Sequence, residues 1–266
     1  MTTLVDGQPC AVVPADDRAF LYGESLFETV AFRDRQAPLW PRHMTRLARG
    51  CRALALNMPR PEQLLAECRK ILPASGPAIV RITISAGSGG RGYWPATEPR
   101  ERRIVQCRAW PTDIHRQRRC GLRLRISSHR LESGQVAAGL KHGNRLVQVM
   151  AARECARSGH DEAVLLDAAG CIVEAISSNL LLVMDDQLFT HPEPAVSGVG
   201  LGWLIDQAGI DIRRQALAVE DLVRCSEVLV INSVAGVRAA IGVDDDRFTP
   251  GPMGRHLQAL WNEQLI

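Results

Sequence analysis

Apolar and polar positions alternate with a period of two through the first forty residues, in short runs separated by turn formers. TLV, CAVV and LFETVAFR have the repeat of half-buried strands, and DGQP and DDRAFLYGES between them carry the Gly, Pro and Asp of turns. QAPLW reads as a second hairpin arm. The period then changes. From Pro41, PRHMTRLARGCRALAL spaces Met44, Leu47, Cys51 and Leu54 by three and four, and PEQLLAECRKIL repeats the pattern after Pro61, so two helices follow the opening strands. AIVRITIS (78–85), ERRIVQCRA (101–109) and residues 121–127 return to strand character, which makes the first half α+β. NRLVQVMAARECARSG predicts a further helix. EAVLLDAAGCIVEAISSNLLLVMDDQLFT then predicts a meander of short strands that turns at AAG and DDQ. Short helices in LGWLIDQAG and near VEDLVRC, strands EVLVINS and VRAAIGV, and a terminal helix around GRHLQALWNEQL complete the chain. The strands are interrupted at WPTDIH, which sets an expected boundary between an N-terminal α+β domain, 1–112, and a β-rich C-terminal domain, 113–266.

Composition narrows the class. With 266 residues, 46% of them hydrophobic, the chain can bury the core of one large domain or two modest ones. The net charge of +3 is spread along it, and the densest basic run, RQRRCGLRLR at 116–125, alternates with apolar residues as the solvated edge of a strand does, rather than forming a nucleic-acid surface. Eight cysteines include no CxxC pair, and Cys51, Cys68 and Cys155 sit inside apolar helical patterns, as reduced core residues of a cytoplasmic protein do. MTTLVDGQPC lacks the charged and apolar regions of a signal peptide, and no window nears the ~18 apolar residues of a membrane span. Neither a membrane nor a nucleic acid is expected as partner. The seven histidines show no metal-ligand spacing and no GxSxG elbow occurs, which argues against zinc and serine-hydrolase chemistry.

Four segments hold residues whose chemistry needs a reason. GSGGRG at 87–92 has the GxGxxG spacing after a strand, but a dinucleotide site needs a helix directly behind the glycines, and YWPATEP cannot start one. The segment reads instead as a mobile cover over a pocket, presenting Arg91 and Tyr93 as carboxylate and substrate contacts, with a plain hairpin loop as the alternative. SGVGLGWLIDQAG does run into a helix, so the amides of Val199 and Gly200 at its start suit a phosphate; a turn or cap would use the same glycines. Glu174, in CIVEAIS, is an acid among apolar and small residues. If buried it needs a cation, a protonated ring nitrogen or water, since an unpaired buried charge costs several kcal/mol; at a strand edge it would point outward. Lys141, in AAGLKHGNRL, precedes a predicted amphipathic helix. It is either a surface charge or an amine whose pKa is depressed by the helix dipole and by desolvation beside Leu140, as a Schiff-base or proton-transferring amine requires.

Together these segments resemble the fold-type IV pyridoxal-phosphate enzymes, the family of branched-chain and D-amino-acid aminotransferases and aminodeoxychorismate lyases. The resemblance spans nearly the whole chain, carried in order by LYGESLFETV, the arginine of RHMTRLARG, the lysine of GLKHGNRL, the glutamate and asparagine of EAISSNLL, the turn SGVGLG and the strand EVLVINSV. SAGSGGRGY and GLKHGNRL are most similar to the lyase branch. The resemblance implies a two-domain α+β / α/β fold of the D-amino-acid aminotransferase-like type with pyridoxal 5'-phosphate between the domains, and a homodimer. Lys141 would carry the cofactor covalently, and Glu174 would bond the pyridine nitrogen and keep it protonated. Arg46, the amides of Val199 and Gly200, and Ser233 would hold the phosphate, while Thr29 would assist proton movement. The implied reaction converts 4-amino-4-deoxychorismate to 4-aminobenzoate and pyruvate, in folate precursor synthesis, with Lys141 as base. A branched-chain or D-amino-acid aminotransferase is the alternative within the family. A non-catalytic binding module of the same fold is the alternative outside it, and such a module needs neither Lys141 nor Glu174.

Overall fold

In the computed structural model, residues 2–131, 139–207 and 209–265 are described. They form two units, Met1–Trp110 with Leu140–Asn144, and Pro111–Gly139 with Arg145–Ile266. The expected boundary at residue 112 is a single cut, whereas the chain leaves the first unit, returns to it for Leu140–Asn144 and leaves again.

The first unit contains β1 (Thr3–Val5), β2 (Gln8–Pro9), α1 (Arg18–Tyr22), β3 (Ser25–Arg33), α2 (Trp40–Ala53), α3 (Pro61–Ile71), β4 (Pro77–Ser85) and β5 (Arg102–Ala109). The strands make an antiparallel sheet in the order β2-β1-β5-β4-β3. Alternation decides which face each side chain takes. Leu26, Val30 and Phe32 of β3 and Val80, Ile82 and Ile84 of β4 join Met44, Leu47, Cys51, Leu64 and Cys68 of α2 and α3 in one core. Phe27 and Thr29 take the other face, opposite Thr83 and Arg81 of β4. Two expected strands are absent. CAVV at 10–13 is not paired as a strand, and Val12 is 73% exposed there. QAPLW makes one bridge, Arg33 to Gln36, before Pro38 removes a donor and α2 begins.

The second unit contains α4 (Ile114–Cys120), β6 (Leu122–Arg130), α5 (Leu146–Ser158), β7 (Glu162–Leu166), β8 (Ile172–Ala175), β9 (Asn179–Met184), β10 (Gln187–Thr190), α6 (Val199–Gln207) and β11 (Ile212–Arg214). A 3-10 helix (Val219–Arg224), β12 (Glu227–Asn232), β13 (Gly236–Val243), β14 (Asp246–Arg247) and α7 (Pro252–Leu265) follow. The basic run at 116–125 is therefore not one strand. Its first half is α4, which ends at Gly121 with a φ of 77°, and only then does β6 start. In the nine-stranded sheet the path β9-β12-β13-β6-β7-β8 is closed by a pairing of β8 with β9, so six strands form a ring. The pair that closes it is Glu174 with Asn179. Side chains such as Leu122, Leu124, Leu180, Leu182, Val228 and Val230 pack one face, and Leu181, Val183, Leu229 and Ile231 are buried on the other, which explains why β9 and β12 read as nearly continuous apolar runs.

Candidate active site

In the first unit, residues 140–144 run along β3 as an extended segment. Phe27 donates its amide to the Lys141 carbonyl at 2.9 Å, Gly143 donates to the Ser25 carbonyl at 2.8 Å, and Leu26 bridges His142. Gly143 is required there, because a Cβ would overlap Ser25 Oγ and stand 2.9 Å from the Gly23 carbonyl oxygen. Lys141 is thus fixed by a strand-like pairing, not by a helix. α5 starts only at Leu146, and a helix dipole acts over about the first turn, so Lys141 lies beyond its reach. Its Nζ stands 4.4 Å from the centroid of Phe27, and Arg81 Cζ stands 3.8 Å from the same centroid. The amine and a guanidinium are held by one aromatic ring, with Thr29 directly across the ladder from Arg81.

Behind that face, on the helix side, Glu28 is 1% exposed. Its carboxylate accepts Arg46 Nε at 2.8 Å and Arg46 Nη2 at 2.5 Å, and Nδ1 of the fully buried His43 lies 2.7 Å from Oε2. Burial pushes the Glu28 pKa up, but the Arg46 guanidinium outweighs it and holds the carboxyl at about 2. Burial lowers His43 from 6.5, so at neutral pH the ring is uncharged and donates Nδ1–H to Glu28. Arg46, expected to hold a phosphate, has two of its three nitrogens committed to Glu28. That fork fixes the plane of the guanidinium.

In the second unit, Glu174 on β8 is 4% exposed, which excludes the outward-pointing alternative. Its Oε2 accepts the amide of Val196 at 3.0 Å, and the side-chain amide of Asn179 donates to the Val196 carbonyl at 3.0 Å. These two side chains clasp a strap, residues 195–198, whose other side bridges Gly139. The strap leads directly into α6. A Cβ on Gly198 would overlap Asn179 Oδ1, and a Cβ on Gly200 would lie 3.3 Å from the Asn232 carbonyl carbon and 3.2 Å from Ile231. The first turn of α6, with Val199 and Gly200, is therefore pressed against the end of β12. Ser233 begins the turn that follows, in which Asn232 Oδ1 accepts the amides of Val234 and Ala235. Helix N-terminal amides, a serine turn and a buried carboxylate two strands away are brought into one unit.

The loop at 87–94 is anchored rather than loose. Arg18, 5% exposed, donates to the carbonyls of Gly89, Gly92, Tyr93 and Trp94. Arg91 is exposed at a turn closed by the Trp94 amide on the Arg91 carbonyl, and Tyr93, 81% exposed, stacks against Tyr22 with centroids 5.4 Å apart. No helix follows the glycines, as the sequence implied.

The amino-transferase class IV family model matches residues 25–241. The chain belongs to this family. Among relatives of this class IV chain, the aminodeoxychorismate lyase of Vibrio harveyi is 29% identical over 97% of this chain and 98% of its own length. The branched-chain-amino-acid aminotransferase of Escherichia coli strain K12 is 26% identical over 93% of this chain and 86% of its own. A crystal structure of 4-amino-4-deoxychorismate lyase from Pseudomonas aeruginosa is 34% identical, with a TM-score of 0.90, and each chain covers 98% of the other. The family resemblance and the fold class read from the sequence are borne out. Among the described residues of the class IV chain, no helix is long and apolar enough to cross a membrane, and no group of three or more His, Cys, Asp or Glu is placed to hold a metal.

Sequence reasoning missed Arg81, Glu28 with His43, and the clasp formed by Asn179 with Gly198. Arg81 carried a signal, a lone cation in the apolar run AIVRITIS, of the same kind that drew attention to Glu174. The strap at 195–198 carried none, because its partners lie about twenty residues away.

Proposed function

We propose that this chain is a pyridoxal-phosphate-dependent aminodeoxychorismate lyase that converts 4-amino-4-deoxychorismate to 4-aminobenzoate and pyruvate. The observation that carries the reading is the pair of cations on Phe27: an amine suited to covalent attachment and proton transfer stands beside a guanidinium suited to a carboxylate. Agreement with two lyases over almost their full lengths supports the lyase over the transaminase.

Each unit by itself carries side chains of the chemistry that a phosphorylated pyridine aldehyde requires. Lys141 offers the amine, and Glu174, buried and held in place by the Val196 amide, offers the carboxylate for a protonated ring nitrogen. The amides of Val199 and Gly200 and the Ser233 hydroxyl offer an anion cradle, and Arg46 offers a fixed cation. When bound, the cofactor supplies an electron sink for the carbon that bears the substrate amine. Lys141 Nζ takes the proton from that carbon. The enolpyruvyl ether leaves from the neighbouring carbon and is protonated to pyruvate, and the ring left behind is aromatic. Thr29, across the ladder from Arg81, would steady a proton or water on the same sheet face. Arg81 binds a substrate carboxylate with more gain than Arg91, because Arg81 is half-buried and Arg91 is open to water. Arg91 and Tyr93 then contact the outer part of the substrate. The protein acts in the cytoplasm as a homodimer.

Incubating the purified protein with 4-amino-4-deoxychorismate, and separately with leucine or D-alanine plus 2-oxoglutarate, tests the proposal. Release of 4-aminobenzoate and pyruvate is expected. Efficient glutamate formation without 4-aminobenzoate assigns the transaminase branch instead.

A further inference from the structure

Arg18 stands at the start of a five-residue helix, in a segment that the proposed chemistry does not use. Its side chain is nevertheless buried, and every guanidinium nitrogen is engaged. Nε donates to Glu24 Oε2 at 2.5 Å; Nη1 donates to the carbonyls of Gly92 at 3.0 Å, Trp94 at 3.2 Å and Gly89 at 3.4 Å; Nη2 donates to the Tyr93 carbonyl at 3.2 Å. The Arg18 amide donates to the Gly87 carbonyl at 2.8 Å, so the backbone and side chain of one residue hold both ends of the glycine-rich loop. Four carbonyl oxygens turned toward one point repel each other unless a cation sits between them, and only a permanently charged fork can serve four at once. Arg18 Cζ also lies 5.0 Å from the centroid of Tyr22, the ring on which Tyr93 stacks. The loop's own sequence agrees with this closed form. Gly90 has a φ of 84° and a Cβ there would overlap the Trp94 carbonyl, while a Cβ on Gly87 would overlap the Arg100 carbonyl.

We infer that Arg18 is a positioning residue for substrate selection: it draws the carbonyls of residues 89–94 onto its guanidinium and so presents Arg91 and Tyr93 in one fixed arrangement. The loop is then a rigid reading edge, preorganised before substrate arrives, and its ordering costs nothing at binding. The kinetic part of this inference rests on the lyase reading; the structural part does not.

Trypsin cleavage at the Arg91–Gly92 bond, followed by mass, tests the structural part directly. Cleavage needs local opening, so Arg18→Lys, which keeps the charge near Glu24 but loses the fork, is expected to be cut there about tenfold faster than wild type at an unchanged melting temperature. In steady-state assays the same variant is expected to raise KM for 4-amino-4-deoxychorismate about tenfold while kcat and the cofactor absorbance stay near wild type, the signature of lost binding rather than lost chemistry. Gly90→Ala, which opens the turn without touching Arg18, is expected to reproduce both effects and serves if Arg18→Lys does not fold. Unchanged cleavage in a folded variant, or a parallel fall of kcat and cofactor binding with KM unaltered, overturns the inference. If wild type yields no 4-aminobenzoate, the lyase reading fails and the cleavage rates alone decide the role of Arg18.

Discussion

Two buried glutamates in apolar strands, Glu28 and Glu174, show how neighbours decide what a carboxylate does. Glu28 has a guanidinium and an imidazole against it and is a structural anion, with its pKa held at about 2. Glu174 accepts the Val196 amide of the strap, where Glu28 takes the fork of Arg46, and is the one proposed for a ring nitrogen. Glu174→Gln is therefore expected to retain cofactor while activity falls by about a hundredfold or more, since the charge that makes the ring an electron sink is gone. Wild-type turnover by a cofactor-loaded variant would remove Glu174 from the chemistry. Lys141→Ala is expected to abolish turnover and, after borohydride treatment, to leave no pyridoxyl group on the peptide that contains position 141; in wild type, a label on any other lysine refutes the assignment. Glu28 makes a prediction about pH. Its folded pKa lies below the ordinary 4.5, so the stability it contributes is present above pH 4.5 and is lost as pH falls toward 2. His43, lowered from 6.5, also opposes protonation, so stability begins to decline below pH 6.5. Denaturant midpoints measured at pH 4.5 and pH 3 are expected to differ less in Glu28→Gln than in wild type, and the variant to be about 3 kcal/mol less stable at pH 7 because the half-buried Arg46 loses the carboxylate that its fork grips. Equal pH slopes in the two proteins would refute this. Glu174 was legible as an acid out of place in CIVEAIS. Glu28 and Arg81 were equally out of place by hydropathy, but in an alternating strand every second residue is allowed to be polar, and only the register shows which of them meet.

At the scale of elements, periodicity located most helices and strands because one face of each is buried against a core. It failed where partner geometry decides. CAVV has strand propensity but no strand partner, QAPLW is cut off by Pro38 and the start of α2, and in the basic run only 121–125 alternates while Arg116–Cys120 winds into α4. The strap at 195–198 shows the same dependence at the candidate site, for its course is set by Glu174 and Asn179 on two other strands. Gly198→Ala should push the strap off Asn179 and tilt the first turn of α6. Affinity for pyridoxal phosphate is expected to fall about tenfold or more, with a smaller loss of thermal stability. In a double-mutant cycle with Asn179→Ala, which makes room for the added methyl, the combined loss should be less than the sum of the two single losses. Additive losses in cofactor titrations would show that the two residues do not meet.

For the molecule as a whole, composition separated the cysteines only in part. Cys51, Cys68 and Cys155 are buried, and burial pushes their thiols up to about 11, 12 and 11. Cys10 and Cys120, in contrast, are exposed. A thiol reagent at pH 8 is expected to modify Cys10 and Cys120 quickly and the other three only on unfolding; fast labelling of Cys68 in the native protein would contradict the packing of α3. The order of the chain through its two units also constrains how the protein is made. A ribosome releases β1 to β5 first, yet the edge segment that carries Lys141 emerges only after all of β6. β6 in turn waits for β13, whose Ala240 pairs with Leu122. At translation speeds of about 5–20 residues per second, β6 spends on the order of 10 s as a nascent strand with one side unpaired. Until the strand ring closes, the backbone amides and carbonyls on that side of β6 stay open to pairing with another chain.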